Sequence, residues 1–284
     1  MNILIGADPE VFARKSRKIV PATGLVEGTK SKPYPVPKGA VQVDGLALEF
    51  NIDPASNSEE FSKNIASVMS SLEELSGTKL VAKPVHTFTR AVLEKQPEEN
   101  LELGCEPDYN AYTGKENPRP SADNVCFRTA AGHIHIGWTE DVDPMDAGHF
   151  EACRTLTKAL DATLGVVSAV MEGENKRRTL YGKAGAFRPK TYGMEYRVPA
   201  NWWITKPEYR KGVFELTKRV FEGLLEGNRS FEEEDFYKDI VDGGKKVRKE
   251  FKPLYARYHV HRMLGISAEG IKGFLTKRFG EKGW

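Results

Sequence analysis

Four segments of the chain alternate in the manner of strands, with acids or imidazoles on one side and apolar residues on the other. They are Asp8-Pro9-Glu10, Asp44-Gly45-Leu46-Ala47-Leu48-Glu49, His133-Ile134-His135 and Glu195-Tyr196-Arg197. Alternate residues of a strand point the same way. Asp8 and Glu10 therefore share a face, as do His133 and His135, and Glu195 and Arg197. Leu46, Leu48, Phe50, Ile134, Ile136, Met194, Tyr196 and Val198 suit a buried opposite face. Asp44 and Glu49 stand five apart and would point opposite ways on one unbroken strand. A turn or bulge at Gly45 brings both to one cavity.

A period near 3.6 marks three helices. The first is capped by Asn57 or Ser58, carries Phe61, Ile65, Val68, Met69, Leu72 and Leu75 on one side, and stops at Gly77. A second opens at Asp143-Pro144, and a third runs from Pro207 to Gly227. Residues 79–83 read as a strand, and Val125-Cys126-Phe127-Arg128 leads into the histidine strand. Three segments read as long loops: 28–39, 106–124 and 172–193, the last strongly basic. Residues 231–284 read as short charged helices. No internal repeat or low-complexity linker divides the chain. The intermingled strands and helices predict an α+β fold, with a mainly antiparallel sheet and helices packed on one face. The expected organisation is one domain over residues 1–230, with a helical extension, 231–284, packed on it.

Composition narrows the partners. The 42 Lys and Arg against 40 Asp and Glu leave a net charge of +2, so no global field attracts nucleic acid or an anionic membrane. An anion site must be local. No stretch has the length of a membrane span, and the first residues lack the pattern of a signal peptide. The three cysteines fit no zinc or redox spacing and read as reduced thiols, which predicts a soluble cytoplasmic protein.

The acids Asp8, Glu10, Asp44, Glu49 and Glu195 each make ordinary solvated strand residues when taken singly. Clustered, they repel and must take up protons or bind cations. His133 and His135 on one strand face suit metal or phosphate, or simply a half-exposed strand. Zinc favours imidazole, which keeps a zinc hydrolase in view, whereas a set rich in carboxylates prefers Mg²⁺ or Mn²⁺. In the basic segment, Lys176, Arg177, Arg178, Lys183, Arg188 and Lys190 lie among glycines, as a phosphate clamp or a solvated loop would have them. Tyr181, Phe187 and Tyr192 could stack on a base. Arg197, two residues after Glu195, suits the neutralisation of a phosphoryl group in transit, or a plain ion pair. Arg128 and the loop acids Glu106 and Asp108 are weaker candidates. His86, His149, His259 and His261 have no such context. The chain has no Walker loop, no Gly-x-Gly-x-x-Gly turn and no Gly-x-Ser-x-Gly elbow.

The order of these segments resembles the carboxylate–amine ligase superfamily of glutamine synthetase and glutamate–cysteine ligase. Asp8-Pro9-Glu10-Val11-Phe12 is similar to its first Glu-Pro-Glu-Phe-Phe strand, with Asp8 in place of the first Glu. Asp44 to Asn51 is similar to an acid pair in the second hairpin. Ala131-Gly132-His133-Ile134-His135 is similar to the Gly-x-His-x-His strand, shorter by one after the glycine, and Glu195-Tyr196-Arg197 to the Glu-Val-Arg segment. The runs Gly39–Gly45, Arg128–Gly137 and Leu180–Arg188 resemble the phage-type COOH–NH2 ligases of type 2. The resemblance spans roughly residues 1–205.

That resemblance implies a curved sheet like the glutamine synthetase catalytic domain. It also implies an ATP- and Mg²⁺-dependent ligase, with Mn²⁺ as a substitute, that joins a carboxylate to an amine through an acyl phosphate. Asp8, Glu10, Asp44, Glu49, His133 and Glu195 would hold metal. His135, Arg178, Lys183, Arg188 and Arg197 would bind nucleotide, and Arg197 with Lys183 or Arg188 would act catalytically. The implied partners are small-molecule or peptide acids and amines, with a modified nucleobase the one nucleic-acid acceptor in view. A phage-encoded chain would work in the host cytoplasm, as monomer or oligomer. A guanidino-kinase-like phosphotransferase, a zinc hydrolase and an inactive nucleotide-binding accessory protein are the competing readings.

Overall fold

A computed structural model describes residues 3–101, 107–118, 125–172 and 176–227, together with Lys238, Val241 and Asp242. The rest of the expected helical extension lies outside the described residues. In chain order the strands and helices are β1 (Leu4–Lys15), β2 (Lys18–Val20), β3 (Tyr34–Val36), β4 (Gly39–Asp44), β5 (Ala47–Ile52), α1 (Ser58–Ser76), β6 (Lys79–Val81), β7 (Val85–Thr87) and α2 (Arg90–Leu93). They continue with β8 (Tyr109–Asn110), β9 (Phe127–Thr129), β10 (Gly132–Gly137), α3 (Ala147–Leu160), α4 (Val166–Glu172), α5 (Lys176–Leu180), β11 (Ala186–Lys190), β12 (Gly193–Tyr196) and α6 (Pro207–Leu225). A π turn, Asp161–Gly165, joins α3 to α4.

Ten of these strands form one antiparallel sheet in the order β3-β4-β5-β1-β10-β12-β11-β8, with β2 and β6 also on β1. β7 and β9 make a small second sheet. The fold is α+β, with helices against one face. That face is apolar: Ile5, Ala7 and Val11 of β1, Leu48 and Phe50 of β5, Ile134 and Ile136 of β10, and Met194 and Tyr196 of β12 enter the main core. Phe61, Ile65, Val68 and Leu72 of α1 pack there with Val213 and Phe214 of α6. Phe61 stacks on Trp203 at 5.8 Å between ring centroids. Each Val, Leu, Ile, Phe or Met among them, fully buried, contributes about 1.5–3 kcal/mol.

Helix ends follow local chemistry. Asn57 accepts the Glu60 amide at the start of α1, and Gly77, left-handed at φ 59°, closes its end. The second helix begins later than Asp143-Pro144 predicts. Asp146 caps it by accepting the His149 amide, while Asp143 accepts the Met145 amide in the preceding turn. Leu46 also departs from expectation. It lies in the β4–β5 turn and joins Phe12, Ala47, Phe88 and Ala130 in a separate apolar cluster. Phe12 and Ala47 point the same way as Glu10 and Glu49, so this cluster and the β7–β9 sheet close one end of the polar face.

The basic segment 172–193 is not one loop. α5 and β11 occupy much of it, and β11 pairs with β12 in the sheet. Likewise β3 sits inside 28–39 and β8 inside 106–124.

Candidate active site

The polar face is built by register. Asp8 lies opposite His133 and Gly6 opposite His135 across β1 and β10. His135 then faces Glu195 on β12, and Glu195 faces Arg188 on β11. On the other side of β1, Glu10 faces Glu49, which in turn faces Gln42 on β4. The parity problem of Asp44 and Glu49 is solved by a tight hairpin. Asp44 pairs with Ala47, and Gly45 takes φ 55° in the turn between them. Asp44 therefore shares a face with Gln42 and Glu49.

Around Glu195 the groups converge closely. His133 Nδ1 lies 3.3 Å from Asp8 Oδ1 and 3.2 Å from Glu195 Oε1. His135 Nε2 lies 3.2 Å from Asp8 Oδ2. Asp8 Oδ1, His133 Nδ1 and His135 Nε2 are buried atoms that make no hydrogen bond. One ligand atom from each of Asp8, His135 and Glu195 falls within 4.8 Å of the others. Buried polar atoms aimed at one another without hydrogen bonds are what a cation needs. On its other side, His135 Nδ1 is hydrogen bonded to the Tyr192 hydroxyl, which would leave Nε2 for a metal.

A basic wall backs this cluster. Arg197 donates to Glu195 through one terminal nitrogen and to Asp108 through Nε at 2.9 Å. Arg188 donates to Glu195 Oε2 at 2.9 Å and to the Pro107 carbonyl at 3.1 Å. Lys190 Nζ lies 3.5 Å from the same carboxylate. Burial alone would raise Glu195, but Arg197, His133 and Arg188 outweigh it and hold its carboxyl at about 2. Burial, reinforced by Arg197, pushes His133 down to about 4. Burial works against charge on both Asp8 and His135 as well. Their mutual attraction prevails, depressing Asp8 well below the usual carboxylate range and raising His135.

The second group is all oxygen. Glu10 accepts the Ala131 amide at 3.0 Å, Glu49 accepts Gln42 Nε2 at 2.6 Å, and Asp44 pairs with Lys30 at 2.7 Å. Burial and then Asp44 push Glu10 up to about 7. Burial, followed by Asp8, Asp44 and Glu10, raises Glu49 well above its ordinary value. Carboxylates that resist ionisation together fit a divalent cation.

Beyond His135 the face opens into a cavity of about 490 Å³, walled by Leu4, Ile52, Pro54, Trp138 and Tyr192. This volume is that of a small-molecule pocket.

Arg178 lies outside the wall. It donates to Glu172 at 2.7 Å and to the Val241 carbonyl at 3.0 Å, both buried, which commits it to holding α5 against α4. Arg177 is likewise turned inward, onto the Val198 and Arg197 carbonyls. Lys183 stands exposed in the turn before β11. Asp108 orients Arg197. Glu106 lies outside the described residues. Gln42, Lys30 and Trp138 carry no motif in the sequence, whereas Lys190 stands there among the basic residues of segment 172–193. The two-residue spacing of Arg188 and Lys190 carried the signal, masked by the glycines before them and by Pro189 within the strand.

No helix among the described residues is long and apolar enough to cross a membrane. No curated protein matches the chain. A solved structure described as "novel glutamine synthase homolog" aligns over 97% of this chain and 71% of its own, at 9% identity and a TM-score of 0.40. Residues 127–253, which contain His133, His135, Arg188, Glu195 and Arg197, match the family "Phage phiEco32-like COOH.NH2 ligase-type 2". Over that segment the resemblance to the type 2 carboxylate–amine ligases is shown.

Proposed function

We propose that this protein is an ATP- and Mg²⁺-dependent carboxylate–amine ligase that makes an amide bond through an acyl phosphate. One observation carries the reading. Buried, unbonded ligand atoms of Asp8, His133 and His135 converge with Glu195 against a wall of Arg188, Lys190 and Arg197. The family match over residues 127–253 supports the reaction class.

Asp8, His133, His135 and Glu195 would hold one cation, and Glu10, Glu49 and Asp44 a second. The mixed nitrogen–oxygen set fits Mn²⁺ as well as Mg²⁺, and the oxygen set fits Mg²⁺. Bound cations supply charge neutralisation and a template for the phosphates. The chain's own residues do the rest. Arg197, aimed by Asp108, and Arg188, aimed by the Pro107 carbonyl, face the charge that builds on the transferring phosphoryl group. Lys183, on the exposed turn before β11, would close on the phosphates as a third basic group. Trp138 and Tyr192 wall the cavity that would take the base. The acid's oxygen bonds to the γ-phosphorus as the bond to the β-bridging oxygen breaks and ADP leaves. The amine nitrogen then bonds to the acyl carbon as phosphate departs, and its proton passes to a carboxylate of the face. The Phe12–Phe88 cluster excludes water from one end, which protects the acyl phosphate.

The substrates would be small-molecule or peptide acids and amines, and the site of action the cytoplasm. Two imidazoles beside Asp8 favour zinc as a second reading, that of a hydrolase. Phosphate release decides. A ligase releases inorganic phosphate from ATP only when both an acid and an amine of a substrate panel are present. A kinase leaves a stable phosphorylated product, and a zinc hydrolase ignores ATP. Phosphate release independent of amine across the panel would overturn the ligase reading.

A further inference from the structure

On the apolar side of the sheet, opposite the basic wall, lies a buried carboxylate with no part in the chemistry above. Asp161 is fully buried at the first position of the π turn. Its Oδ1 accepts the Tyr196 hydroxyl at 2.6 Å. Its Oδ2 accepts the Gly185 amide at 2.6 Å and the Tyr112 hydroxyl at 3.0 Å. Gly165, on the last residue of the π turn, makes room for this. A Cβ there would stand 2.8 Å from the Tyr196 hydroxyl and 3.1 Å from Asp161 Oδ1.

Each of the three donors belongs to a segment that carries part of the wall. Tyr196 stands between Glu195 and Arg197 on β12. Gly185 immediately precedes β11, which holds Arg188 and Lys190. Tyr112 follows β8, next to the stretch whose Pro107 carbonyl and Asp108 carboxylate orient Arg188 and Arg197. One carboxylate thus ties together, from behind, the three segments that place the guanidinium groups in front. Interior side chains are close-packed, so a shift at this tie is passed on to the strands it joins. π turns are frequent at functional sites.

We propose that Asp161 is a positioning residue for phosphate binding, acting through Tyr196, Tyr112 and Gly185 to aim Arg197 and Arg188. The inference rests on the nucleotide reading above, and the test separates the two. Binding of Mn²⁺ alone and of Mn·tripolyphosphate is measured calorimetrically for the wild type, Asp161→Asn, Tyr196→Phe and Tyr112→Phe, with melting temperatures alongside. The tyrosine variants each delete one hydroxyl and keep the ring, so they carry the test where Asp161→Asn fails to fold. The expected result is a loss of about tenfold in Mn·tripolyphosphate affinity in Tyr196→Phe, the size of one misaligned charge-assisted hydrogen bond, with Mn²⁺ affinity held within about twofold. A lower melting temperature with both affinities unchanged would make Asp161 merely structural and overturn the inference. An equal fall in both affinities would overturn it too. Failure of the wild type to bind Mn·tripolyphosphate would remove the nucleotide reading and this inference with it.

Discussion

Glu10 and Glu49 face each other across β1 and β5, paired residue to residue in an antiparallel ladder. Like charges directly opposite on a sheet are destabilising, and burial adds to the penalty. Burial above all, then Asp44 for Glu10 and Asp8, Asp44 and Glu10 for Glu49, raises both carboxyls, Glu10 to about 7. A carboxyl whose folded value lies above its unfolded one binds protons more readily in the folded state. Its contribution is therefore greatest below the unfolded value of 4.5 and is lost as pH rises through about 7. The metal-free protein should lose thermal stability across that window, and saturating Mg²⁺ should restore it above pH 7. Melting curves with and without Mg²⁺ at several pH values check this. A metal-free stability that rises over the same range would contradict it.

Glu49→Gln removes one charge from the pair while keeping its size. The variant should fold, melt higher than the wild type without metal, and lose metal-dependent ATP turnover. Full turnover would take Glu49 out of the metal shell.

Much of this site was legible because strand parity is simple. Asp8 with Glu10, His133 with His135, and Glu195 with Arg197 follow from alternation alone, and the Gly45 hairpin reconciles Asp44 with Glu49. What escaped was set by tertiary contact. β11 lies behind two glycines and contains a proline, so local signals favoured a loop. It becomes a strand because β12 supplies the partner. Arg178 is as basic as Arg188, and its inward turn follows from the positions of Glu172 and the Val241 carbonyl. Leu46 occupies a turn, where alternation no longer tells which way a side chain points. The π turn that carries Asp161 leaves no periodic trace in five residues.

Arg197→Ala separates catalysis from binding. The guanidinium faces Glu195 and Asp108 and would meet the phosphoryl group as its charge shifts. Turnover should fall by about 10²–10³, the usual loss for one transition-state charge stabiliser, with a much smaller change in ATP affinity. Glu195 stays buried with Arg188, Lys190 and His133 but without the Arg197 guanidinium, so the variant should also be less stable. Steady-state kinetics, nucleotide titration and thermal melting check these three statements. Equal losses in turnover and affinity would make Arg197 a binding residue only.

Tyr192→Phe deletes the hydroxyl that meets His135 Nδ1. With its outer hydrogen bond gone, His135 should hold metal about 10–100-fold more weakly, the usual cost of losing such a partner. Mn²⁺ titration measures it. Unchanged affinity would exclude His135 as a ligand and leave His133 with Asp8 and Glu195.

Residues distant along the chain would meet on one sheet face to hold divalent cations and a triphosphate. Anomalous diffraction from crystals soaked with Mn²⁺ and a non-hydrolysable ATP analogue tests it most directly. One manganese peak is expected among Asp8, His133, His135 and Glu195, a second at Glu10, Glu49 and Asp44, and phosphates against Arg188 and Arg197. Manganese bound elsewhere, or a nucleotide seated away from this face, would contradict it.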